Sequence, residues 1–330
     1  MAVDKVLLAA PRGFCAGVEM AIKALAWMVR TFDPPVYCYH EIVHNRLVVD
    51  RFRQLGVVFV DDISEVPEGS PLMLSAHGSA PEVVAAARAN GGMVVDAVCP
   101  LVTKVHHEVK VRTGQGYNVI YVGHHGHDEA VGTMAVAPEA VRLVETVDDV
   151  ARLDLDPATP VAFLAQTTLS MDEWVGVRDA AQARFPEMWM PGRSDLCFAT
   201  TNRQSALKAI AGRSDTIVVI GSANSSNTVA LEKVARAHGT ARVYRVNGAG
   251  ELPDDLCGVV GVTAGASAPE ELVRAVLERL APVHGVEVIT ETTEEEYFPL
   301  PRELREMLGA SRLADDRGLA ASDGLDSLRA

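Results

Sequence analysis

Nine times along this chain a mainly apolar run is followed by a turn of small or polar residues and then by helical spacing, and the nine fall into three consecutive sets of three. The first turn of each set carries a cysteine: Cys15 in Pro11-Arg12-Gly13-Phe14-Cys15-Ala16-Gly17, Cys99 in Asp96-Ala97-Val98-Cys99-Pro100-Leu101, and Cys197 in Ser194-Asp195-Leu196-Cys197-Phe198-Ala199. The other turns are polar. In the first set they hold His44 and His77, in the second His127-Asp128-Glu129 and Gln166-Thr167-Thr168, and in the third Asn224-Ser225-Ser226-Asn227 and Ala266-Ser267. Consecutive parallel strands cannot be joined by a tight hairpin and need a crossover, usually a helix, so both faces of the sheet become covered. The pattern predicts an α/β fold of three pseudo-repeated lobes, each a small, mostly parallel sheet flanked by helices. Ligands of such sheets collect at the carboxyl ends of the strands, where all nine turns are expected. If the lobes turn those ends inward, they form a trefoil around one central site; a linear three-lobed chain is the other arrangement the pattern allows.

The boundaries read as residues 1–97, 98–193 and 194–285, with a C-terminal extension over 286–330. After Leu308 the chain becomes small and polar with little periodicity, and a loose tail is expected there. The acidic connectors over 61–70 and 148–160 read as solvated surface.

Composition narrows the function. The formal net charge of −14 lacks the basic footprint of nonspecific nucleic-acid binding. No apolar run approaches the roughly 20 residues of a membrane span, and the N-terminus has no signal-peptide pattern. Five widely spaced cysteines, an odd number, suit a reducing compartment better than a disulfide framework, so the cytoplasm is expected.

A cysteine at a helix N-terminus is favoured as thiolate, and Pro100 fits the first helical position, where a missing N–H does no harm. Three thiolates suit a [4Fe-4S] cluster in which one iron keeps no protein ligand and can act as a Lewis acid on a substrate oxygen. A zinc ion held by three cysteines is the chemical competitor, although the local Cys-x-x-Cys spacing of structural zinc is absent. Cys38 and Cys257 lie in apolar, strand-like runs and read as inert core thiols.

Histidines, hydroxyls, amides and helix N–H groups can hold a phosphate or diphosphate where Lys and Arg are scarce. His44, His77, Ser225, Ser226, Asn227 and Ser267 have that setting, although any one of the Ser or Asn residues could simply be a helix cap. Glu129 stands beside His127, with Thr167 in the companion turn; a carboxyl group near an anionic substrate has a raised pKa and suits proton donation. His106, His107, His124 and His125 read as surface or packing residues.

These motifs resemble those of the 4-hydroxy-3-methylbut-2-enyl diphosphate reductases. The resemblance runs from about Lys5 to Arg305, through the Cys15 and Cys99 turns, Val43-His44-Asn45, Ser75-Ala76-His77-Gly78, Gln166-Thr167-Thr168-Leu169-Ser170, Ala199-Thr200-Thr201-Asn202-Arg203-Gln204, Asn224-Ser225-Ser226-Asn227 and Ala264-Gly265-Ala266-Ser267-Ala268-Pro269. It implies a trefoil around a [4Fe-4S] cluster held by Cys15, Cys99 and Cys197. It also implies reductive removal of an allylic hydroxyl, the last step of the non-mevalonate isoprenoid pathway, with electrons from a ferredoxin- or flavodoxin-type donor. Position by position, the diphosphate falls to His44, His77, Ser225, Asn227 and Ser267, with Ser226 close by; His127, Glu129 and Thr167 fall at the hydroxyl end, with Glu129 delivering protons. The family usually reads His-Pro-Glu-Val-Glu-Gly where this chain has His127-Asp128-Glu129-Ala130-Val131-Gly132. A cluster-dependent hydro-lyase, which needs no external electrons, and an iron–sulfur sensor, which needs no substrate pocket, are the rival readings.

Overall fold

A computed structural model describes residues 2–192, 194–240 and 242–316. The chain opens with β1 (Val3–Ala10), α1 (Ala16–Thr31), β2 (Val36–Tyr39), α2 (Arg46–Gln54), β3 (Val57–Val60), β4 (Leu72–Leu74), α3 (Pro81–Ala89) and β5 (Val94–Asp96). It continues through α4 (Pro100–Gly114), β6 (Asn118–Val122), α5 (Asp128–Ala135), β7 (Val141–Val144), α6 (Val147–Arg152), β8 (Val161–Ala165) and α7 (Met171–Arg184). The remaining elements are α8 (Phe198–Ala211), β9 (Thr216–Ile220), α9 (Ser226–Ala237), β10 (Arg242–Val246), β11 (Gly258–Ala264), α10 (Glu270–Leu280), β12 (Val286–Thr290) and α11 (Arg302–Asp316).

The strands form three sheets, ordered β10-β9-β11-β1-β12, β3-β2-β4-β5 and β7-β6-β8. Every strand pairing in them is parallel, as the alternation of runs and helices predicts. The chain divides into two compact units. One comprises Met1–Glu19, Val43–Arg51 and Phe198–Tyr297 and contains the five-stranded sheet; the other comprises Met20–Ile42, Phe52–Cys197 and the chain from Phe298 onward, and contains the remaining two.

The five-stranded sheet is covered on both faces. Leu7, Ala9, Ile217 and Val219 pack against Leu207 and Ile210 of α8 and Leu231 and Val234 of α9. The alternate residues Val6, Leu8, Val218, Ile220, Val260 and Val262 pack against Val273, Val276 and Leu280 of α10. The three-stranded sheet repeats the plan: Val119, Tyr121, Ala162 and Leu164 face α4 and α5, whereas Ile120, Val122, Val161 and Phe163 face α6 and α7. Burial of both faces is why these strands read as unbroken apolar runs.

One shared rule of order corrects the expected boundaries. In each sheet the strands before the two polar turns of a set lie side by side, β2 with β4, β6 with β8 and β9 with β11, and in two of the sheets the next neighbour is the strand that leads to a cysteine. Thus β5, before Cys99, flanks β4, and β1, before Cys15, flanks β11. β1 therefore belongs not with residues 11–97 but with the third set, where Val6 has Val260 on one side and Val286 on the other. A strand buried on both faces needs partners on both edges, and the N-terminal run finds them there. The third set likewise extends past residue 285 to include β12.

The C-terminal extension carries a helix. Leu300, Leu304 and Leu308 are buried at four-residue spacing, and α11 lies against β5. The helical backbone continues past Leu308 to Asp316, interrupted by Gly309 at φ 71°; residues 317–330 of the expected loose tail lie outside the described residues. The two acidic connectors carry short capped turns: Asp62 and Glu65 close a 3-10 turn over Ile63–Glu65, and Thr146 and Asp149 cap α6. Among the described residues, no helix is long and apolar enough to cross a membrane.

Candidate active site

The three cysteine turns are built alike. Each cysteine immediately precedes a helix, α1, α4 or α8, and is half-buried. Each also donates its backbone N–H to the turn after a neighbouring strand: Cys15 to the carbonyl of Ala266 at 3.2 Å, Cys99 to that of Ala76 at 3.0 Å, and Cys197 to that of Thr167 at 3.0 Å. Two residues earlier a second bond repeats, from Gly13 N–H to Ala264 at 3.2 Å and from Ala97 N–H to Leu74 at 3.1 Å. At the third turn a side chain replaces that rung, and the Asp195 carboxylate accepts from Ala165 N–H at 3.1 Å.

Cys197 accordingly departs from expectation. Among the described residues no strand leads to it, and the segment before it holds a bridge between Trp189 and Ala162. Asp195 fastens the segment instead, buried, with Lys104 Nζ 3.6 Å away, and burial pushes its carboxyl up to about 6. Cys38 lies in β2 as expected, and complete burial drives its thiol far above the ordinary range. Cys257 sits in the turn just before β11 rather than within the strand.

The Cys15 turn is clamped by Arg203 of α8, whose side chain is fully buried. Its guanidinium donates to the carbonyls of Gly13 at 3.0 and 2.8 Å, Phe14 at 3.1 Å and Ala199 at 2.9 Å, and to the carboxylate of Glu294 at 2.9 and 3.1 Å. Planar donors arranged as a fork suit such convergent acceptors.

Glu129 is 2% exposed, in the first turn of α5. Its carboxylate accepts from Thr167 twice, from the backbone N–H at 2.7 Å and from the hydroxyl at 3.0 Å. Burial pushes its pKa up to about 7; the two bonds from Thr167 oppose that rise, and the charge of Asp195 adds to it. His127 caps α5, its Nδ1 accepting from Glu129 N–H at 3.1 Å, so in the neutral ring the proton is on Nε2. The His77 ring meets that of His127 edge-on, 5.9 Å between centroids. Close approach requires glycine here: a Cβ on Gly132 of α5 would lie 2.8 Å from the carbonyl oxygen of Gly78, itself at φ +84°.

In the five-stranded unit the third-set residues are buried and interlocked. Ser225 caps α9, its hydroxyl oxygen accepting from Thr228 N–H at 3.4 Å. The Asn227 side chain accepts from Ala266 N–H at 2.9 Å and donates to the Thr200 hydroxyl at 3.3 Å. Ser226, in the first turn of α9, is buried, and the Ser267 hydroxyl donates to the carbonyl of His44 at 2.9 Å. One unit thus gathers Cys15, His44, Ser225, Ser226, Asn227 and Ser267, and the other gathers Cys99, Cys197, His77, His127, Glu129 and Thr167.

Residues 6–281 match the model of the LytB protein family. The chain belongs to the LytB protein family. Over 306 residues, this LytB chain is 49% identical to a 4-hydroxy-3-methylbut-2-enyl diphosphate reductase of Rhodopirellula baltica, covering 91% of this chain and 96% of that protein. A reductase of the same name from Mycobacterium ulcerans is 46% identical, with 91% and 92% covered. Among solved structures, the E-1-hydroxy-2-methyl-but-2-enyl-4-diphosphate reductase of Plasmodium falciparum superposes with a TM-score of 0.89 at 31% identity, covering 93% of this chain and 98% of that one.

Three thiols in the same local setting, none in a disulfide, fit an iron–sulfur group by donor chemistry; the same three bonds hold their backbones. Sequence reasoning passed over Asp195 and Arg203. An acid two residues before a cysteine and an arginine on a helical face among small residues were the available signals.

Proposed function

We infer that this chain is a 4-hydroxy-3-methylbut-2-enyl diphosphate reductase, an oxidoreductase of the non-mevalonate isoprenoid pathway. It would convert (E)-4-hydroxy-3-methylbut-2-enyl diphosphate to isopentenyl and dimethylallyl diphosphates. Each turnover consumes two electrons and two protons, breaks the allylic C–O bond and releases water. The single observation that carries this reading is the coupling of Glu129 to Thr167 and of Thr167 to Cys197: a carboxyl group poised near neutrality lies one residue from a candidate metal ligand.

Cys15, Cys99 and Cys197 would hold a [4Fe-4S] cluster, which supplies electrons and an open iron as Lewis acid for the hydroxyl. Glu129, protonated near neutral pH, gives up its proton to the departing oxygen, and the Thr167 hydroxyl relays it. The Nε2–H of His127 donates at the same end. His44, His77, Ser225, Ser226, Asn227 and Ser267 bind the diphosphate as a dense set of donors, which offsets its charge without lysine or arginine. Five cysteines with no disulfide among them suit the cytoplasm, where a ferredoxin- or flavodoxin-type protein would supply electrons.

Anaerobic incubation of the loaded enzyme with the allylic diphosphate and a reduced viologen dye tests this reading. Both five-carbon diphosphates are expected, and only with the reductant present. Turnover without reductant would favour a hydro-lyase, and binding without turnover would favour a sensor.

A further inference from the structure

We propose that Asp128 is a positioning residue that links His40 and His77 and thereby sets the grip of His77 on the diphosphate. The inference rests on the reading of His77 as a diphosphate ligand.

Asp128 opens α5, where a carboxylate is favoured by the helix dipole. One carboxylate oxygen lies 2.9 Å from His40 Nδ1 and the other 3.7 Å from His77 Nδ1. His40 is held firmly: its ring stacks on Tyr39 with 4.1 Å between centroids, and its backbone occupies the left-handed region at φ 57°, which a residue with a side chain adopts only when its surroundings impose it. Asp128 is thus braced on His40 while its second oxygen faces His77.

A carboxylate beside Nδ1 favours the form of the imidazole that carries a proton there. His40 shows the effect, its pKa raised chiefly by the bond to Asp128. At His77 the second oxygen of the same carboxylate stands 3.7 Å from Nδ1 and helps fix the orientation of that ring. With the carboxylate removed, His40 loses its partner and the His77 ring loses the oxygen that faces its Nδ1. The third-set donors named for the diphosphate are neutral, so the placement of the His77 ring weighs heavily in the grip. Because Asp128 touches histidines rather than the reacting atoms, its effect falls on binding.

The experiment measures inorganic pyrophosphate binding to the anaerobic, cluster-loaded enzyme by calorimetry, together with KM and kcat. The variants are Asp128→Asn, Asp128→Glu, Asp128→Pro and His77→Ala; proline is accepted at a first helical position. Asp128→Asn and Asp128→Pro are expected to weaken pyrophosphate about tenfold and raise KM by a similar factor, as befits the loss of a charge-assisted contact. Their kcat is expected to stay within about twofold and their iron content to be unchanged, and Asp128→Glu should recover most of the affinity. Weakened binding in His77→Ala with wild-type binding in both Asp128→Asn and Asp128→Pro overturns the role of Asp128 and leaves the diphosphate reading standing. A fall in kcat at constant KM in Asp128→Asn overturns it as well. Wild-type pyrophosphate binding in His77→Ala removes His77 from the diphosphate site, and this inference with it.

Discussion

Thr167 gives both of its donors to Glu129, the backbone N–H at 2.7 Å and the hydroxyl at 3.0 Å, and the carboxylate receiving them is buried. Burial and hydrogen bonding pull the carboxyl in opposite directions, and burial wins, leaving it at about 7. A group at that pKa can hold a proton and release it near neutral pH. Replacing Glu129 with Gln keeps the shape and removes the proton. Turnover is expected to fall about 10²–10⁴-fold with the iron spectrum intact.

The pH profile carries a sign. A proton donor works in its protonated form, so the rate should decline as pH rises through about 7 and hold below it. The descending limb should be missing from the residual activity of Glu129→Gln. A limb of unchanged position in that variant would assign the titration to another group.

Thr167 tests the opposing pull. Thr167→Val keeps the N–H bond and loses the hydroxyl bond, which favours the charged carboxylate. The carboxyl should therefore rise further and the descending limb move to higher pH, with turnover lowered by about tenfold or more. Thr167→Ser should restore both, because the hydroxyl rather than the methyl group makes the bond.

Arg203 offers a stability measurement. Arg203→Met removes the side-chain donors to the carbonyls of Gly13 and Phe14 and leaves Glu294 without its guanidinium partner. Breaking a buried charged pair from one side costs about 3–5 kcal/mol, read from the urea midpoint. Iron content should fall with it, since the Cys15 turn loses its clamp. Glu294→Gln, which keeps an acceptor for the guanidinium, should cost less.

Gly132 and Gly176 make a paired control in two helices. A Cβ on Gly132 would meet the Gly78 carbonyl oxygen at 2.8 Å, whereas one on Gly176 would meet only Val147 at an ordinary 3.9 Å. Gly132→Ala should lose about 1–3 kcal/mol and weaken pyrophosphate binding by displacing the His77 turn. Gly176→Ala should gain up to about 1 kcal/mol through helix propensity.

Strands buried on both faces were legible from sequence because burial writes itself as unbroken apolar runs; β2, β6 and β9 have the expected limits. The outer strands β10 and β12 were not. β10 reads Arg-Val-Tyr-Arg-Val and β12 reads Val-Glu-Val-Ile-Thr, with polar residues interrupting the apolar ones because less of an edge strand is covered. The partner of β1 was illegible for another reason: strand order depends on contacts across some 250 residues, and local pattern carries no record of them. Asp195 and Arg203 act through bonds to backbone groups far along the chain, so their chemistry appears only in three dimensions. Asp128 was visible as a departure from the family motif, but its histidine partner at position 40 was not.

Iron content across the five cysteine variants decides the ligand assignment most directly. Purified anaerobically and reconstituted side by side, the wild type should hold about four irons per chain. Cys15→Ser, Cys99→Ser and Cys197→Ser should each lose most of that iron, whereas Cys38→Ala and Cys257→Ser should retain it. Wild-type iron in any one of the first three, or loss confined to the last two, would contradict the assignment.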